Sequence, residues 1–167
     1  MVTVKDGRKV TVRPLRPEDK EGLVRFYAGL TPEVLHWALP PYDRARVERF
    51  FGDQEQLFGL VAECDGSIVG HLHVFRYPSR MRHLGELIIY LDQDYGNKGL
   101  GTEMMKRALT LARAKGLHRV QLSVIDGNEG AIHVYEKVGF KREGLRADAY
   151  RGVDDRYHDA IDMGIIL

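Results

Sequence analysis

Gly96, Gly99 and Gly101 fall within one short stretch, Asp94-Tyr95-Gly96-Asn97-Lys98-Gly99-Leu100-Gly101-Thr102-Glu103-Met104. They precede Leu100, Met104, Ala108, Leu111 and Ala112, which recur at helical spacing. A helix start leaves its first amides unpaired and partly positive, and small residues there let an anionic oxygen come close. The chemistry on offer is phosphate binding by backbone N–H groups, through Asn97, Lys98, Gly99, Leu100, Gly101 and Thr102. Two familiar patterns fail on spacing. The glycines read G-x-x-G-x-G, the reverse of a dinucleotide fingerprint, and Thr102 stands where a P-loop needs lysine. A tight turn with no ligand is the plainer alternative; alternate glycines ahead of a full apolar stripe favour the ligand.

Other chemistry-bearing residues are less promising. His71 and His73 share one face of a strand, but no third metal ligand accompanies them, so core or surface histidines are the expectation and no metal is called for. Cys64, the single cysteine, lacks a neighbouring base and reads as a small buried hydrophobe. The acidic, aromatic stretch Asp148 to Asp159 reads either as a solvated hairpin or as a lining that attracts cations.

Positioning these residues requires a scaffold, and the chain supplies one. With 167 residues, 44% hydrophobic and 29% charged, it suits a single domain spanning 1–167 that buries about 70% of the unfolded surface. A net charge of +1 argues against dedicated nucleic-acid binding. The opening residues lack the apolar run of a signal peptide, and no apolar stretch approaches the roughly 18 residues of a membrane span, so a cytoplasmic protein is expected.

Val2-Thr3-Val4 and Val10-Thr11-Val12 predict a hairpin about Asp6-Gly7, and Leu57 to Cys64 with Ile68 to Phe75 predict another about Asp65-Gly66. Helices are predicted after Pro17, Thr31 and Asp43. Glu86 to Leu91 is the most apolar strand and belongs in the sheet centre. A helix from about Gly99 to Lys115, a strand at Val120 to Val124, a helix at Ala131 to Val138 and closing strands at Lys141 to Tyr150 and Tyr157 to Ile166 complete the order. The class is α+β, with a central strand–helix–strand unit implying parallel pairing in a mixed sheet.

A second segment, Asn128-Glu129-Gly130-Ala131-Ile132-His133-Val134-Tyr135-Glu136-Lys137-Val138-Gly139-Phe140, falls in register with N-x-x-A-x-x-x-Y-x-x-x-G-F. With the glycine turn it resembles the GNAT superfamily of acetyl-CoA-dependent N-acetyltransferases, whose first signature is Q/R-x-x-G-x-G/A. The resemblance covers roughly Leu57 to Leu167, and the N-terminal third agrees in its order of elements. It departs at Gly96, where the family has glutamine or arginine; Lys98 is a nearby charge that offsets the loss.

The resemblance implies a GNAT fold: a mixed, mostly antiparallel twisted sheet of six to seven strands with flanking helices, its central parallel pair splayed around the acyl-CoA. It implies acetyl-CoA as co-substrate, no metal, and direct attack by an amine in a ternary complex. Tyr135 takes the family's place of general acid, its alternative being a helix-face aromatic packed on the sheet. The strand residues Ile89, Tyr90 and Leu91 fall where backbone groups polarise the thioester, and Asn128 and Tyr135 belong with the coenzyme. Glu86 is the candidate base, because a carboxylate opening an apolar strand is costly unless paired or functional; a solvated strand end is the alternative, and Glu63 and Asp126 stand in reserve.

For the acceptor, Val12 to Asp19 and Leu30 to Glu33 look like protein-lysine acetyltransferases of this superfamily, and Arg156-Tyr157-His158-Asp159 looks like ribosomal-protein and polyamine acetyltransferases. A protein lysine or N-terminal amine comes first, a polyamine or amino-acid analogue second, and a noncatalytic acyl-CoA-binding module third. The oligomeric state is open, a homodimer included.

Overall fold

Among the described residues, alternating and β-branched side chains build eight strands, joined in one sheet of order β1-β2-β3-β4-β5-β6-β8-β7. The computed structural model describes residues 1–53 and 57–167. The strands are β1 (Val2–Thr3), β2 (Lys9–Pro14), β3 (Leu57–Cys64), β4 (Ser67–Arg76), β5 (Leu84–Leu91), β6 (Arg119–Ile125), β7 (Lys141–Arg151) and β8 (Tyr157–Ile166). The expectation of six to seven strands falls short because the two-residue β1, paired to β2 at Val2↔Val10, extends the same sheet. Both hairpin signals hold: Gly7 adopts φ +90°, and Asp65 and Gly66 adopt +48° and +76°, the left-handed backbone that a tight reversal needs.

Every neighbouring pair is antiparallel except β5 and β6. Those two run parallel and pair only at Leu84↔Arg119, Gly85↔Val120 and Glu86↔Gln121. Beyond that point β5 stays with β4 as far as Gly70↔Leu91, while β6 stays with β8 as far as Ile125↔Ala160. Each strand is held on its outer side, so the inner edges can part. The backbone groups from Leu87 and Leu122 onward that would have completed the ladder face the opening instead.

Helices cover both faces. The long α4 (Leu100–Ala114) and α5 (Glu129–Val138) lie on one side, where Leu100, Met104, Met105, Ala108 and Ala112 are fully buried against Leu72, Val74, Leu87, Val120 and Leu122. Each large apolar side chain so buried contributes roughly 1.5–3 kcal/mol. On the other face α1 (Lys20–Ala28), α2 (Pro32–His36), α3 (Arg44–Glu48) and the 3-10 turn after it (Arg49–Phe51) set Leu23, Phe26, Tyr27, Val47 and Phe50 against Phe75, Ile88 and Tyr90. Asp43 caps α3 by accepting from Arg46 N at 2.8 Å. Thr31 precedes α2 in extended backbone but its hydroxyl makes no cap, and Pro17–Asp19 form a single 3-10 turn ahead of α1. Among the described residues no helix is long and apolar enough to cross a membrane.

Candidate active site

The gap between β5 and β6 opens into a pocket of about 390 Å³ lined by Leu87 to Leu91, Leu122 to Val124, the glycine turn and one face of α5. At the turn Asn97 and Gly99 take φ +57° and +88°, which swings the backbone into the start of α4. The chain can do this cheaply because Gly99 has no Cβ and asparagine tolerates the left-handed region. Among the described residues no acceptor takes the amides from Asn97 to Thr102; the first bonded donor is Glu103 N, on Gly99 O at 3.2 Å. Asn97 and Gly99 are exposed and Gly101 half-buried, whereas Leu100 and Thr102 turn into the core. A Cβ at Gly101 would lie 3.4 Å from Leu91 Cδ1 and 3.9 Å from Val134 Cγ1, so glycine there keeps the wall between strand and helix clear.

Lys98 is placed differently from a phosphate ligand. Its Nζ donates to Asp94 O at 2.6 Å and meets Asp6 Oδ2 at 2.8 Å, which spends its charge on the N-terminal hairpin. Gly96 lines the pocket without a side chain.

Asn128 lines the pocket and also caps α5, accepting from Ala131 N at 3.3 Å. That cap aims the helix so that Tyr135 reaches the same space. Its ring rests near Phe140, centroids 6.2 Å apart, and burial pushes its hydroxyl up to about 12. The phenol therefore stays protonated across any working pH.

Glu86 lies at the fork where β5 and β6 separate. Its Oε2 accepts from Gln121 Nε2 at 2.8 Å and from Tyr77 O–H at 3.2 Å, two neutral donors. It lines an adjoining pocket of about 520 Å³, and Leu122 and Ser123 line both cavities. Glu63 is bound to Arg13 at 2.7 Å beside Asp19, and Asp126 accepts from Gly127 N; neither lines the pocket in the gap. The sequence reading missed Ser123, whose Oγ accepts from Arg146 Nη2 at 2.7 Å and Tyr150 O–H at 3.3 Å. It missed too the roof formed by Glu33, Val34 and Trp37. Trp37, the lone tryptophan just past a proline-started helix, was the available signal.

His71 and His73 are core residues. His71 Nδ1 pairs with Tyr27 O–H at 2.8 Å, and both rings pack on Phe50. Among the described residues no group of three metal-ligating side chains exists. Cys64 is buried, with Sγ 3.5 Å from Lys9 O. The tip of the β7–β8 hairpin folds on itself through His158 and Asp154, 3.0 Å apart.

Comparison with known proteins places the chain in a family. The model of the acetyltransferase (GNAT) family matches residues 23–140. The chain belongs to this family. It is 30% identical over 160 residues to the L-amino acid N-acetyltransferase AaaT of Escherichia coli K12, covering 93% of this chain and 96% of that one. It is also 30% identical over 166 residues to the spermidine N(1)-acetyltransferase of the same strain, covering 95% and 87%. The crystal structure of spermidine N-acetyltransferase from Vibrio cholerae, in complex with CoA and spermine, shares the fold, with a TM-score of 0.78 at 21% identity over 94% of this GNAT chain and 95% of that one.

Proposed function

We propose that this GNAT enzyme transfers acetyl from acetyl-CoA to the primary amine of a small molecule by direct attack. The observation that carries the reading is the run of amides from Asn97 to Thr102 without acceptors among the described residues, of which Asn97 and Gly101 line the pocket that also holds Tyr135. Acetyl-CoA supplies the activated acyl group. The turn's donors suit its diphosphate, and the wedge between β5 and β6 suits a narrow acyl arm.

The chain's own residues then have two proton tasks. An amine with a pKa near 10.4 is free base about once in a thousand at neutral pH, and releasing its proton costs roughly 4 kcal/mol. Glu86, a carboxylate held by two neutral donors at the fork and lining the adjoining pocket, takes that proton through water in this reading. Tyr135 donates toward the departing sulfur. A cysteine-like thiolate has a pKa of about 8.5, below the phenol's, but the burial that lifts the phenol also lifts a thiolate beside it and narrows the gap.

A small acceptor is favoured over a protein because the mouth is roofed. The Trp37 ring comes within 3.7 Å of where a Cβ at Gly127 would be, and His36 meets His158 with centroids 6.0 Å apart. These contacts join α2 to the loop before α5 and to the β7–β8 hairpin. The two curated relatives, named for amino acids and for spermidine, accord with this choice. Calorimetry with acetyl-CoA, followed by free-thiol release across a panel of amines, tests it. Binding with amine-dependent turnover is expected; binding with no amine-dependent release overturns the enzyme reading, and no binding overturns the site.

A further inference from the structure

On the α1–α3 side of the wedge one hydroxyl has a proton with no taker. Leu39 N donates to the Tyr42 hydroxyl at 3.0 Å, and that hydroxyl donates to Tyr90 at 2.7 Å. A phenol carries one proton. The pair has two protons and one bond between them, so one O–H is left over; Tyr90 is the member of the pair that lines the wedge, and no acceptor for its O–H stands among the described residues. Tyr27, the neighbouring phenol, is engaged with His71 and meets the Tyr90 ring edge-on at 5.9 Å. Tyr90 lines the wedge, and burial among the phenols of Tyr42 and Tyr27 holds its pKa well above the ordinary value. It presents a fixed O–H donor to whatever enters.

The chemistry of the acceptor decides what can take that bond. The attacking amine needs its lone pair for the carbonyl carbon, and its N–H groups are donors, so the O–H requires an oxygen elsewhere on the substrate. Charge narrows the choice further. Among the described residues no lysine, arginine or histidine lines the wedge, and the one charged residue that does is Glu33. Arg146 lines the adjoining pocket and is already held by both oxygens of Asp162, at 3.0 Å. A carboxylate brought into the wedge would lose water without gaining a counter-charge. A carbonyl or hydroxyl oxygen accepts the same bond without that cost.

We propose that the acceptor amine carries a neutral oxygen, an amide carbonyl or a hydroxyl, close to the nitrogen, and that Tyr90, aligned by Tyr42, selects for it. This rests on the small-amine acetyltransferase reading. Leucinamide, leucine and 3-methylbutylamine differ only in the group beside the amine, and their apolar chain suits Val34, Trp37 and Ile88. The measurement is kcat/KM by free-thiol release for the parent enzyme, Tyr90→Phe and Tyr42→Phe. Each variant is compared with the parent on the same substrate, which cancels the differing basicity of the amines.

Tyr90→Phe should lower leucinamide turnover about tenfold further than 3-methylbutylamine turnover, the size of one neutral hydrogen bond, and Tyr42→Phe should follow the same order more weakly. A loss equal for all three overturns the inference by placing the donor on the shared acetyl group, and a loss greatest for leucine overturns it by making the oxygen a carboxylate. Turnover of other amines but not leucinamide overturns the inference alone; turnover of no amine overturns the functional reading with it. Melting curves verify that each variant folds, and if Tyr90→Phe does not, the order of losses in Tyr42→Phe decides.

Discussion

Tyr135 and Glu86 illustrate how little a residue type says until its neighbours are fixed. Tyr135 shares a helix with Val134 and Ile132, and by periodicity alone it is one more apolar position. What separates it is a hydroxyl that opens on the wedge while burial holds its proton. Tyr135→Phe should therefore lower kcat about a hundredfold with little change in acetyl-CoA affinity, which steady-state kinetics beside calorimetry would read; unchanged kcat would remove it as the acid. Glu86 gives a complementary expectation. If it accepts the amine's proton, Glu86→Gln loses most at neutral pH and recovers where free amine is plentiful, so the rate profile moves to higher pH. An unaltered profile would hand the role to another carboxylate or to water. The residue motifs were legible because Asn128, Tyr135 and Gly139 keep fixed spacing, whereas Ser123 and Trp37 lie alone in sequence and matter through what the fold brings beside them.

At the scale of elements, the turn from β5 into α4 joins a left-handed backbone to a run of amides without acceptors among the described residues, the place proposed for the diphosphate. The clearance that Gly99 and Gly101 leave at the helix start was readable from the glycines themselves, whereas the left-handed backbone at Asn97 was not. The direction of Lys98 was not, since it depends on Asp6, distant in sequence and brought near by the hairpin of β1 and β2. The parting of β5 from β6 was likewise hidden, because an apolar strand looks the same whether its edge is paired or open. Gly96 gives the test at this scale. Its φ of −63° suits any L residue, and a Cβ would stand 3.3 Å from Gln93 O, which asks that carbonyl to yield by a few tenths of an ångström. Gly96→Arg should then tighten acetyl-CoA by roughly three- to tenfold through one charge-assisted bond to an anion held at the turn, with a weaker gain in high salt. Unchanged affinity measured by calorimetry would mean that the diphosphate lies out of reach of this position.

For the molecule as a whole, the core under α1 and α3 has an unusual composition. His71 and His73 are fully buried among Tyr27, Phe50 and Phe75, and His71 Nε2 and both nitrogens of His73 have no partner among the described residues. Alternation in β4 announced that the two rings share a face, but an aromatic pocket built by α1 and α3 decides that the face is dry. Desolvation holds His71 well below its ordinary value and lowers His73 to about 3. Both shifts are downward, so the unfolded chain binds protons below about pH 6.5 that the native state refuses. The stability is present in full above that pH and drains as pH falls toward the folded value, by up to about 1.4 kcal/mol per pH unit for each histidine. Asp19, held low chiefly by its bond to Arg13, adds acid sensitivity of its own, but only below the ordinary carboxylate range. Glu21 and Glu143, held low by Arg44 and Arg119, act the same way from a slightly higher unfolded value, so denaturant unfolding between pH 6 and 5 is the window in which the histidines dominate. His73→Leu, similar in volume and free of a titrating ring, should flatten the slope of unfolding free energy against pH in that window by about 1 kcal/mol per unit, whatever it does to stability at pH 7. A slope identical to that of the parent protein would show that His73 takes up a proton in the folded core or is reached by water there.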